Sequence, residues 1–86
     1  MTHAAGFENP YESTFEKGDT VRIENLETLE SFKRDWKFHN PLSDEQLRFA
    51  GRTTIVTSVG FYHGGDVLYE LDGVPGVWHE INVRTP

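Results

Sequence analysis

The sequence predicts a mainly β fold, a small antiparallel barrel with a short helical insertion after its first strand. Three observations carry that reading. Residues 20–24 alternate apolar and polar side chains behind a turn signal at Lys17, Gly18 and Asp19, so Val21 and Ile23 face inward while Arg22 and Glu24 face water. Residues 52–62 are dense in β-branched side chains: Thr53, Thr54, Ile55, Val56, Thr57 and Val59. The turn signals at His63, Gly64, Gly65 and Asp66, and again at Asp72, Gly73, Pro75 and Gly76, are too tight for anything but antiparallel neighbours.

Length and composition set the bounds. A chain of 86 residues is one domain of modest stability. Without cysteine, neither a disulfide nor a thiolate metal cluster can supplement the core. Six Phe, three Tyr and two Trp must therefore supply much of it. Fourteen acidic residues against eight basic ones leave a formal charge of −6, which opposes binding to the phosphates of nucleic acid. No apolar run approaches the length of a membrane helix, and the N-terminus lacks the basic and apolar regions of a signal peptide. A cytoplasmic protein, monomeric or weakly self-associating, is expected.

The elements follow in order. Residues 1–14 are polar, hold Gly6 and Pro10, show no period and read as a flexible arm; Asn9, Pro10 and Tyr11 are its one candidate recognition segment. The domain spans residues 15–86, with the helical insertion at 25–51. In that insertion Leu26, Leu29, Phe32 and Trp36 recur along one helix face behind a cap at Asn25, and Glu30 stands four residues before Arg34. That stripe packs on the barrel; its alternative use is as a partner-binding face. A second short helix has Ser43 as N-cap and Gln46 at the third position, a capping box, with Leu42 and Leu47 placed for a hydrophobic staple. Gly51 ends it in the left-handed region. Gly60 marks a bulge or bend in the following strand. Val67, Tyr69 and Leu71 then share the inner face of the next strand, residues 77–80 return, and residues 81–84 form a last short strand or a 3₁₀ turn.

The positions Gly18, Asp19, Val21 and Arg22, then Gly51, Val59, Tyr69 and Trp78, carry a resemblance. Over roughly residues 15–83 the chain resembles the small SH3-like barrels found as single-domain bacterial and phage proteins, and more weakly the barrel domain of the nitrile hydratase β subunit. The resemblance implies an SH3-like barrel used for binding or as an accessory subunit. The insertion at 25–51 is long for a loop of such a barrel. The nitrile hydratase metal site belongs to the other subunit and needs cysteines, so the resemblance implies no metal here.

Residues that could carry chemistry have plainer uses. His3, His39, His63 and His79 suggest a metal, and His63 with Asp66 and His79 could meet across a hairpin, but His79 and Glu80 are adjacent on a strand and face opposite sides. Surface histidines are the expectation, with metal binding through His63 and His79 the alternative. Ser58 lies in no nucleophile elbow, and Glu70, Asp72 and Glu80 read as a solvated face. No cofactor is implied. The aromatics around the hairpin stand out: the sequence predicts a non-enzymatic protein-binding module whose contact surface includes Tyr62, His63 and Trp78. Its competitors are a core role for Trp78 and Tyr69, and service as an accessory subunit to a partner enzyme.

Overall fold

Strands β1 (Thr20–Ile23), β2 (Thr53–Tyr62), β3 (Asp66–Leu71), β4 (Val74–His79) and β5 (Val83–Arg84) form one antiparallel sheet in the order β4-β3-β2-β1-β5. The computed structural model describes residues 13–86. The polar segment with Asn9, Pro10 and Tyr11 lies outside the described residues. The chain is already tied to the fold at Thr14, whose N–H donates to Glu80 (2.8 Å), and at Phe15, whose N–H donates to the Tyr69 hydroxyl (3.1 Å). The fold is mainly β, and β4 and β5 are the two edges of the sheet.

The insertion after β1 holds helices α1 (Leu26–Asp35) and α2 (Asp44–Leu47). Asn25 caps α1 by accepting the Thr28 N–H, and the capping box of α2 is complete, Ser43 and Gln46 each serving the other's backbone. Beyond α2 the chain turns at Gly51, whose φ of +80° costs a β-carbon-free residue little. Arg34 pairs with the adjacent Asp35, at 3.2 Å, rather than with Glu30.

Two irregularities in the sheet differ from expectation. The bulge in β2 is at Thr57, where the register shifts between Val56 and Ser58; Gly60 pairs regularly with Leu68. The Thr57 hydroxyl donates to the Glu70 carbonyl, so the extra residue keeps a bond across the ladder (3.1 Å). One added residue reverses which side chains face the core: Val56 is buried before the bulge and Val59 half-buried after it. The connection after β3 is also shorter than the turn signals suggest. Leu71 pairs directly with Val74 across Asp72 and Gly73, and Pro75 with Gly76 belong to β4 as an irregularity before Tyr69 pairs with Trp78.

The core lies on one face of the sheet, where Val21, Ile23, Val56, Tyr69, Leu71 and Trp78 meet Leu29 of α1 and Leu42. Among the described residues no helix is long and apolar enough to cross a membrane.

A candidate binding cleft beside helix α1

The residues expected to share a contact surface are separated. Tyr62 is half-exposed and His63 exposed, but Trp78 has no exposed surface, so it is a core residue and not part of a contact face. It pairs with Tyr69 across the ladder, and its indole N–H donates to the Pro75 carbonyl (3.0 Å). The expectation of surface histidines fails at His79, which is 5% exposed. Trp78 and His79 face opposite sides of β4, yet both are buried, because the sheet is covered there from both sides.

The cover over His79 comes from the end of α1. Leu29 anchors the helix in the core, which leaves Phe32 and Trp36, three and seven residues on, half-buried along its flank. The helix stops at Trp36, whose backbone turns extended. The next residues fold back, so that the Trp36 indole N–H donates to the His39 carbonyl (2.6 Å). Asn40 takes φ +51°, a left-handed conformation open to Asn, and the His39 and Asn40 carbonyls both lie within hydrogen-bonding distance of His79 Nε2, at 3.2 and 3.1 Å. Carbonyls only accept, so the His79 proton sits on Nε2. Burial holds the pKa of this imidazole below its ordinary value, against the two carbonyl bonds that would raise it.

Ring contacts continue from there to the β2–β3 turn. Phe32 stacks on Trp36 at 5.3 Å between centroids, and both touch His79, at 4.9 and 5.0 Å. His79 lies 5.1 Å from His39, His39 stacks on Tyr62 at 3.7 Å, and Tyr62 meets the His63 ring edge-on. Tyr62 and His63 are thus one end of a row of six rings that begins on α1. Each contact of this kind stabilises by about 0.5–1.5 kcal/mol beyond area burial. His39 Nε2 stands 3.3 Å from Asp66 Oδ2 in a geometry that makes no hydrogen bond, and it is otherwise unpaired.

Between α1 and the sheet lies a cleft of about 810 Å³. Glu27, Phe32, Asp35 and Trp36 line it from the helix; Asp66, Val67 and the run from His79 to Asn82, which includes a 3₁₀ turn, line it opposite. Its carboxylates are Glu27, Asp35, Asp66 and Glu80, and no Lys or Arg among the described residues lines it. Glu80 is already engaged: Oε2 accepts from the Tyr69 hydroxyl (2.6 Å) and the Thr14 N–H (2.8 Å). Burial alone would raise its carboxyl pKa, but those hydrogen bonds outweigh burial and hold it below the ordinary value. Burial and the Glu80 carboxylate together push the Tyr69 phenol well above its own.

Asn82 also lines the cleft. It is fully buried, and neither its side-chain oxygen nor its nitrogen has a hydrogen-bond partner among the described residues. A stranded polar group of this kind costs about 1–3 kcal/mol, so it is rarely kept without a use.

No family model, curated protein or solved structure matches this chain. The site is therefore read from its own geometry. Among the described residues no three His, Asp or Glu side chains gather in a way that could hold a metal ion. Sequence reasoning missed Asn82; it offered the stripe with Phe32 and Trp36 only as an alternative partner face, and His39 and His79 only as surface residues or metal ligands. One signal was present: Trp78 followed directly by His79 fits a strand covered on both faces.

Proposed function

We propose that the protein is a non-enzymatic protein-binding module, an SH3-like barrel whose partner docks in the cleft between α1 and the sheet. The observation that carries this reading is the cleft's construction, an aromatic floor of Phe32, Trp36 and His79 beneath a rim of carboxylates. Its volume lies in the range of ligand sites, and rigid rings give contact area at little cost in side-chain entropy. Two of its titratable groups are occupied with structure: His79 on two carbonyls, Glu80 on Tyr69 and Thr14. That suits holding a partner better than moving protons. The strand order supports the SH3-like reading, since closure of β4 toward β5 would complete such a barrel.

The test is selection of a random peptide display library on the immobilised protein, followed by NMR titration with the enriched peptides. Shifts at Phe32, the Trp36 indole and Ile81 are expected. Shifts confined to the Thr53 to Ile55 end of β2, or no enrichment at all, would refute this use of the cleft.

A further inference from the structure

We infer that the cleft takes an extended peptide segment bearing a lysine or arginine, the cation on the carboxylate rim and a main-chain amide on Asn82. This rests on the reading of the cleft as the binding site. Two independent features ask for that occupant.

The first is charge. Glu27, Asp35 and Asp66 are exposed on the rim; Arg34 pairs with Asp35 (3.2 Å) and His39 Nε2 stands 3.3 Å from Asp66, but no Lys or Arg among the described residues lines the cleft. His79, the basic group of the floor, has its Nε2–H committed to two carbonyls and is held neutral by burial, so it does not offset the rim. A lysine or arginine entering here meets carboxylates for its head and the Phe32 and Trp36 rings for its apolar stem. Phosphate-bearing partners meet repulsion instead.

The second feature is Asn82. Acidic side chains by themselves are a solvated surface, but Asn82 is fully buried with both amide atoms unpaired. A carboxamide offers a donor and an acceptor side by side. An ammonium group could satisfy only its oxygen and a carboxylate only its nitrogen, whereas a peptide group satisfies both. The Asn82 amide is closed to solvent in the free protein, so the pairing we infer requires its cover to move as the segment enters.

The experiment uses the full chain and arginine-bearing peptides from the display selection. Replacing that arginine with citrulline, which keeps the shape and loses the charge, should weaken binding roughly tenfold or more, as loss of a charge-assisted contact does. The double variant Glu27→Gln, Asp35→Asn should weaken the arginine peptide and leave the citrulline peptide unchanged. The Asn82 side-chain NH₂ resonances should shift on binding, and free arginine should bind far more weakly than the peptide. Enriched peptides without basic residues, or equal affinity for the citrulline form, would overturn the cation assignment while leaving the cleft as the site. An unmoved Asn82 NH₂ pair, or free arginine binding as well as the peptide, would overturn the main-chain contact. No enriched peptide at all would overturn both this inference and the proposed function.

Discussion

Replacing Tyr69 with Phe removes one oxygen atom that links the start of the described chain to the cleft wall. The hydroxyl donates to Glu80 Oε2 at 2.6 Å and accepts the Phe15 N–H at 3.1 Å, and Tyr69 has no exposed surface. A hydrogen bond to a charged group is worth about 1.5–3 kcal/mol, and a buried N–H left without its acceptor costs about 1–3 kcal/mol. Glu80 keeps the Thr14 N–H and is only half-buried, so water can occupy part of the vacated place. The lower part of each range applies, and Tyr69→Phe should cost about 2–4 kcal/mol. For a domain of this size that lowers Tm by roughly 10–25 °C. Urea titration at constant m reads the loss directly. The loss should also depend on pH. Glu80 titrates below its ordinary value in the folded protein, so its contribution is full above that ordinary value and disappears as pH falls through the depressed one. Without the Tyr69 hydroxyl that depression shrinks, and the gap between the two proteins narrows in acid. A loss under about 1 kcal/mol at neutral pH, or a gap unchanged between about pH 7 and about pH 3, would refute the assignment of these bonds.

Gly76→Ala places a Cβ 2.6 Å from Gln46 Nε2 at a φ of +81°, so strain and the lost Gln46 bond to the Val77 carbonyl should together cost about 2–3 kcal/mol in a denaturant titration. Trp78→Ala should cost about 3–5 kcal/mol, because it empties a fully buried site. Tyr62→Ala gives up mainly its stack on His39 and should cost about 1 kcal/mol; comparable melts for these two variants would contradict their placement. His79 binds its proton less readily folded than unfolded. Stability should therefore be full above its ordinary value of 6.5 and decline as pH falls below it, a slope that His79→Gln, which keeps an N–H donor and does not titrate, should remove in urea midpoints taken stepwise through that range.

The parts of the fold that were legible in the sequence are those specified by neighbours along the chain. The caps at Asn25 and Ser43, the inward Val67, Tyr69 and Leu71, and the left-handed Gly51 each follow from residues within one turn or one strand of themselves. The β2 bulge was expected at Gly60 because glycine marks many bulges, but the register of β3 sets its place and Thr57 secures it with a hydroxyl that alternation does not reveal.

By itself the sequence determined a mainly β chain with antiparallel pairing, two capped helices after the first strand, and an acidic surface. Tertiary structure alone decided that His79 is buried, that Trp78 is core, and that Phe32, His39 and Tyr62 belong to one row of rings. It also decided that Asn82 lies unpaired in the same cleft as Glu27, Asp35 and Asp66. The reason is physical. Local pattern sets which face of an element is apolar, but what covers the opposite face depends on where an inserted helix lands, and that is fixed by contacts between residues far apart in the chain. Here Leu29 seats α1 in the core, and the chain leaving the helix brings the His39 and Asn40 carbonyls onto an imidazole about forty residues away.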